Sequence, residues 1–292
     1  MSKIEKALSR ANSARQLKLA SSTPSPASDE KHLVLSQTAH SEMLAEASTT
    51  IALMQEPTRR SAGDLTARGI INPEMGETPT VKAFRDIRTK ILQKTQGRNC
   101  VLMVTALQKD SGTSFVSLNL GAAFALDAGK TALVVDCNLH NSSSLLWDPR
   151  VSGLTDYLKN PEIGLPKIIH RVGIERLRVI PAGSNSKEPG EYFTSDKMKG
   201  LLDAVRSRYP DRFVILDAPP VLESADTQIL GDLCDCVLLI IPYGTATPSQ
   251  IERSLKAIDR NKLLGVVFNN DLELDSLAEL FRSMFRRSKR AP

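Results

Sequence analysis

Six apolar runs restrict what this chain can fold into more than any other feature of its sequence. They are CVLMVTA (100–106), TALVVDC (131–137), LRVIPA (177–182), RFVILDA (212–218), CVLLIIP (236–242) and LLGVVFN (263–269). Between them lie stretches of helical periodicity, such as SFVSLNLGAAFALDAG (114–129) and SDKMKGLLDAVRSRY (195–209). Strands with no polar face need cover on both sides. The alternation therefore predicts an α/β fold, a parallel sheet with helices on both faces. A further helix is expected over VKAFRDIRTKILQ, and the domain is expected to occupy residues 79–292 without internal repeats.

The chain ahead of that domain reads differently. Ile4, Ala7, Leu8, Ala11 and Ala14 recur at helical spacing, with Ser2 as N-cap and Glu5 completing a capping box. Residues 1–19 are thus expected to form a short amphipathic helix that needs a partner surface. The polar, irregular stretch 20–78 reads as a flexible linker. The net charge of +5 comes largely from the two ends, a pattern of basic tails rather than of a nucleic-acid-binding domain. Four cysteines without a CxxC pair read as reduced, buried thiols, and Cys234 and Cys236 would face the same side if both lay on a strand. No run approaches the ~20 apolar residues that a spanning helix needs, and the first residues lack the apolar core of a secretion signal. A cytoplasmic protein is expected.

The chemistry gathers where strands end. The first strand runs into the loop A-L-Q-K-D-S-G-T-S-F (106–115), which opens a helix. Backbone N–H groups and the helix dipole at such a turn hold phosphate oxygens in the G-x-x-x-x-G-K-[ST] motif. Here Gly112 and Ser114 are present, Leu107 replaces the first glycine and Thr113 the lysine. By itself the loop is equally an ordinary strand-to-helix turn. Two more strands end in acids, V-V-D-C-N-L-H at Asp136 and I-L-D-A-P-P-V at Asp217. A lone strand-end aspartate usually caps a helix. A pair of them after a phosphate-type loop, at the sheet edge where α/β proteins bind ligands, suits Mg²⁺ and an attacking hydroxyl.

Residues 79 to about 270 resemble the bacterial P-loop tyrosine autokinases of exopolysaccharide and capsule synthesis, cytoplasmic regulators of chain length and export. The fold of that family is shared with the MinD/ParA ATPases. The blocks that carry the resemblance include AFRDIRTKIL (83–92), SFVSLNLGAAFA (114–125), ALVVDCNLH (132–140), GLTDYL (153–158), FVILDAPPVLESAD (213–226), DCVLLIIPYGTATPSQI (235–251) and GVVFNN (265–270). The resemblance implies a nucleotide loop at Gly112, Thr113 and Ser114, with Asn269 near the adenine. Mg²⁺ would sit on Ser114, Asp136 and Asp217, the two acids carrying the catalysis. Arg85 and Arg88 would dock one subunit on its neighbour. The implied cofactors are ATP and Mg²⁺. The implied partner is an inner-membrane chain-length co-polymerase, which would hold the protein peripherally at the membrane.

The departures from the family pattern fall on chemistry. Thr113 stands for the phosphate-binding lysine, Asn138 for the second acid after Asp136, His140-Asn141 for a basic pair and Lys82 for the glutamate of the docking helix. The tail FRRSKRAP lacks the family's tyrosine cluster. One lost charged contact costs about 2–4 kcal/mol in a transition state, on the order of 10²–10³ in rate. The expectation is a non-catalytic or weakly catalytic regulator that holds ATP poorly and stays monomeric or enters a mixed ring with an intact paralogue. An active autokinase in which Lys109 replaces the missing ammonium is the alternative. A MinD/ParA-like positioning ATPase is a third reading, opposed by Gln108 at that group's signature-lysine position. Finally, Leu277, Leu280, Phe281, Met284 and Phe285 share one helical face, with Arg282, Arg286, Arg287, Lys289 and Arg290 around it. Such a helix suits an anionic membrane or acidic partner, or packs on the sheet with a solvated basic end.

Overall fold

A computed structural model describes residues 60–139, 151–183, 189–207 and 211–270 of the chain. The expected N-terminal helix (1–19), the pair His140-Asn141 and the basic segment 276–292 lie outside the described residues. In chain order the helices are α1 (Ala62–Ala67), α2 (Pro79–Lys94), α3 (Thr113–Ala125), α4 (Leu154–Lys159), α5 (Leu165–Ile168), α6 (Pro189–Phe193), α7 (Asp196–Ser207), α8 (Asp226–Leu233) and α9 (Pro248–Ala257). The strands are β1 (Val101–Ala106), β2 (Thr131–Asp136), β3 (His170–Arg171), β4 (Leu177–Ile180), β5 (Arg212–Asp217), β6 (Cys236–Pro242) and β7 (Leu263–Asn269).

They form one sheet in the order β3-β4-β2-β5-β1-β6-β7. The ladders β2–β4, β2–β5, β1–β5, β1–β6 and β6–β7 are parallel, and β3 pairs antiparallel with β4. Each of the six apolar runs is a strand, as their composition predicts. β3 has no counterpart in the sequence reading, because two residues are too few to carry a pattern. From β1 the chain steps to one side for β2 and β4, returns for β5, and crosses to the other side for β6 and β7. The ends of β1, β2 and β5 therefore meet at the point where strand order reverses, the crevice in which such sheets bind ligands.

α3 explains how the sheet is covered on one face. Its sequence is apolar all round, and ten of its residues are buried. Gly121 lies so close to the sheet that a Cβ there would sit 2.7 Å from Val134 Cγ2 and 3.0 Å from Leu177 Cδ1. Phe124 stacks on Phe213 of β5 with ring centroids 4.1 Å apart. Outside α3 lies α2, started by Thr78, whose hydroxyl accepts the Val81 N–H, and by Pro79 in the first turn. Phe84 of α2 meets Phe115 of α3 edge to face at 6.1 Å. The opposite face of the sheet packs a second apolar layer that includes Leu154 and Leu158 of α4, Leu201 and Val205 of α7 and Leu230 of α8.

One sequence expectation needs correction, and one conditional reading is decided by the strand boundary. The linker assigned to 20–78 cannot extend past residue 59, since residues 60–78 belong to the folded domain. Ser61 caps α1, and Leu65, Ile70 and Ile71 are buried in the α2–α3 layer. The Asn119 side chain of α3 accepts the Ile71 N–H at 2.8 Å and donates to the Gly69 carbonyl at 3.2 Å. A window average over a polar stretch hides three well-placed apolar anchors. Cys234 and Cys236 also do not share a face, because β6 begins only at Cys236. Cys234 ends α8 and joins the α7–α8 layer, while Cys236 lies in the other layer with its sulfur 3.7 Å from that of Cys100. All four cysteines are free and buried, as expected.

The boundary correction has a measurable consequence. Ile71 is 0% exposed, so Ile71→Ala should lower stability to urea by about 2–5 kcal/mol, as cavity-forming core substitutions do. A position in a true linker would change it by less than about 0.5 kcal/mol.

Candidate functional site

The loop between β1 and α3 is held from several directions. Leu107 N–H donates to the Ile240 carbonyl, extending β1 by one residue along β6. The Ser111 hydroxyl then donates to the Gln108 carbonyl at 2.7 Å, closing the turn. Asp110 at φ 60° and Gly112 at φ 84° make the reversal into the helix. Asn269, at the end of β7, donates its side-chain amide to the Ser111 carbonyl at 2.8 Å. A Cβ at residue 112 would fall 2.2 Å from that amide nitrogen, so glycine is needed there for space as well as for φ. On the other side the Lys109 N–H donates to Glu223 Oε1 at 3.0 Å.

α3 starts at Thr113 with Gly112 as its N-cap and no side chain capping it. The first N–H groups of a helix have no partner within it, and here they open toward the loop with the positive end of the helix dipole. That backbone arrangement fits a phosphate. Thr113 brings a hydroxyl where an ammonium would be needed to complete it, and the Lys109 side chain is exposed.

Facing the loop is a pair of buried acids. Asp136 and Asp217 end β2 and β5 and stand opposite each other in the ladder. They are 0% and 2% exposed. Asp217 accepts a hydrogen bond from the Ser117 hydroxyl at 3.3 Å, and the nearby Ser114 hydroxyl also favours its ionised form. Burial outweighs both and pushes its carboxyl up from the ordinary 3.8 to about 6. Cys137 beside it is pushed well up by burial first and then by the two aspartates. Asp136 Oδ1 accepts the Asn138 N–H at 3.1 Å, so Asn138 closes the strand end through its backbone. A Ser114 hydroxyl on a carboxylate, next to a second carboxylate, is a donor set that suits a hard divalent cation. The residues present therefore fit Mg²⁺ and the phosphates through oxygen donors and backbone, and lack the cationic clamp.

Of the residues singled out in the sequence, Gly112, Thr113, Ser114, Asp136, Asp217 and Asn269 are brought to this one edge. Asn269 meets the loop itself. Arg85 and Arg88 are elsewhere, on α2. Arg85 is exposed and ion-paired with Glu77. Arg88 is turned inward, donating to the Ala123 carbonyl at the end of α3 at 2.9 Å, with Asp127 at 3.8 Å. Sequence reasoning missed Ser117 and Glu223. Ser117 was legible, since three residues after Ser114 places it on the same helix face. Nothing local marks Glu223, which reaches the loop from the turn after β5, the strand beside β1.

The raised carboxyl of Asp217 sets a pH dependence. Below about pH 4 the group is protonated folded or unfolded. Between about 4 and 6 the unfolded chain ionises it while the fold resists, so stability is lost as pH rises. Comparing the wild type with Asp217→Asn by urea unfolding at pH 4 and pH 7 should shift the difference toward the variant by about 3 kcal/mol or less. A difference that stays constant with pH would contradict this burial effect.

No protein-family profile matches the chain. Among curated proteins it is 31% identical over 218 residues to a candidate tyrosine-protein kinase, EpsB, of Ralstonia solanacearum, covering 71% of this chain and 28% of that protein. It is 29% identical over 194 residues to a candidate tyrosine-protein kinase of the cps region of Klebsiella pneumoniae, covering 65% and 26%. The chain thus matches little more than a quarter of the length of these relatives. Among solved structures, the kinase domain of Escherichia coli tyrosine kinase ETK aligns with a TM-score of 0.59 at 25% identity, over 72% of this chain and 94% of that one. The chimerical protein CapA2B2 gives 0.63 at 25% identity, over 72% and 91%. By sequence and by the fold of its described residues, the chain is a relative of the kinase domain of the bacterial tyrosine-protein kinases.

Proposed function

We propose that this protein is a tyrosine-kinase-like regulator of exopolysaccharide or capsule biosynthesis and export, in which phosphoryl transfer is weak or lost. It works with an inner-membrane chain-length co-polymerase, which holds it peripherally at the membrane. The observation that carries this reading is Thr113. The loop, Ser114 and both acids would suit a nucleotide, and the one group that would neutralise the phosphates from the helix side is a neutral hydroxyl. Phosphoryl transfer rests on positioning and electrostatics, so this change strikes at its main requirement. Asn138 in place of an acid weakens the cation side in the same direction. Among the described residues no helix is long and apolar enough to cross a membrane, which is in keeping with attachment through a partner.

Ser114 and Asp217, with Asp136 behind them, would hold Mg²⁺, and the first N–H groups of α3 would hold the phosphates. Bound Mg²⁺–ATP would supply charge neutralisation and the phosphoryl group. Asp217 needs to ionise to meet the cation, and a neighbouring divalent charge favours that form. On α2, Lys82 is exposed where the family pattern has glutamate, and Arg88 is spent on its own chain. Both favour a monomer or small oligomer, or entry into a mixed ring with an intact paralogue. The competing reading, an active autokinase, draws on the intact acid pair and the well-pinned loop.

Calorimetry and labelled ATP separate the two. ATP–Mg²⁺ affinity should be weaker by about 10² or more than in Thr113→Lys, the size expected for one charged contact to phosphate. Wild-type protein should transfer no label to tyrosine, and Asp217→Ala should leave surface polysaccharide near normal when the protein stays soluble and abundant. Micromolar ATP binding that Asp217→Ala abolishes, together with label transfer, would establish the active kinase instead.

A further inference from the structure

The turn that follows β5 is fastened to the end of β1. The Val221 N–H donates to the Ala106 carbonyl at 2.9 Å. The buried hydroxyls of Thr105 and Thr227 both donate to the Pro219 carbonyl, at 2.6 and 2.8 Å. This fastening sets Glu223 against the loop between β1 and α3, where its Oε1 accepts the Lys109 N–H at 3.0 Å. Loop N–H groups are what a phosphate oxygen seeks at such a turn, and a carboxylate oxygen already fills this one. Lys109 and Asp110 are both exposed on the same loop, and their opposite charges offset each other to first order. Glu223 therefore leaves the loop with negative charge at a place that would otherwise attract an anion.

The order of the strands sets which part of a nucleotide meets that charge. β5 lies on one side of β1, and β6 and β7 lie on the other. Asn269 holds the loop from the β7 side and Glu223 holds it from the β5 side. Asp217 ends β5, and Asp136 stands opposite it on β2, so a cation on the two acids is also on the β5 side. In a nucleotide site Mg²⁺ rides on the last phosphates of the chain. The end of the phosphate chain is thus directed to the side where Glu223 stands. We infer that Glu223 is a specificity-determining residue, whose carboxylate repels a terminal γ-phosphate and sets the site to take a nucleoside diphosphate in preference to a triphosphate. The inference rests on the reading of this edge as a Mg²⁺–nucleotide site. Charges in solvent are screened over about 8 Å at physiological ionic strength, so the carboxylate acts most on the phosphate nearest to it. A diphosphate has no phosphoryl group to give in a γ-transfer, and a site that prefers it suits a regulator better than a kinase.

The test is calorimetry of the full chain with ADP and with ATP, each with Mg²⁺, on the wild type and on Thr113→Lys, whose restored ammonium brings binding into range. Both proteins should hold ADP more tightly than ATP, Thr113→Lys by about tenfold. Adding Glu223→Gln to Thr113→Lys keeps an acceptor for the Lys109 N–H and removes only the charge. Glu223 is exposed, so the fold should tolerate the change. ATP affinity should then rise about tenfold and ADP affinity less than about twofold, and Glu223→Lys in the same background should reverse the preference. If the two affinities stay unchanged or rise together, the inference is overturned and the nucleotide reading stands. If folded Thr113→Lys binds neither nucleotide, the nucleotide reading fails and this inference fails with it.

Discussion

The burial of α3 between the sheet and the segment running from α1 to α2 is the contact on which the rest of the structure depends. Gly121 lets the helix backbone approach β2 and β4 more closely than any side chain would allow. Phe124 fixes its far end on Phe213, and Asn119 ties residues 69–71 to its outer side. A helix placed this firmly also places its first turn, and with it the N–H groups that face the loop. The backbone arrangement that would suit an anion is thus a by-product of hydrophobic packing, and it does not depend on the side chain at 113.

Electrostatics ties the changed loop to the acids. Two carboxylates stand side by side at a buried strand edge, and the hydroxyls of Ser114 and Ser117 stabilise one of them without offsetting its burial. A cation within about 4–6 Å would favour ionisation of such a group. With threonine at 113 the helix start supplies no such cation, and burial leaves the Asp217 carboxyl raised above its ordinary range. An incoming divalent ion would favour the ionised form and offset part of the cost of burial. In a protein that turns over nucleotide the lysine shares that task.

The relatives place the fold and leave the chemistry open. The match of 31% identity runs over 218 residues, and most of the strands and helices in the described residues need apolar volume and little else to pack. Phosphate handling depends on a few specific groups, so those can change while the scaffold persists. The inward turn of Arg88 belongs with this. The same guanidinium that would serve a neighbour in a ring here caps the C-terminal end of α3, where carbonyls are short of donors.

Much of this protein could be read from its residues in order. Continuous Val, Ile and Leu runs mark the six longer strands, of which β1, β2, β5 and β6 are buried on both faces, and Asp136, Asp217 and Gly112 follow because they end those strands or open the next helix. What the chain order could not supply are contacts made between distant elements. Asn269 reaches the carbonyl of Ser111, 158 residues away, only because β7 and β1 flank β6. Glu223 meets the Lys109 N–H across the same edge. Leu65, Ile70 and Ile71 anchor a stretch that composition calls a linker, since burial depends on where a few side chains land rather than on the average of their neighbours. Cys234 and Cys236 part company for a related reason: the strand begins between them, and only the β6 ladder decides where. Local pattern determines which segments are strands and helices; register and packing across the sheet decide which of their side chains meet.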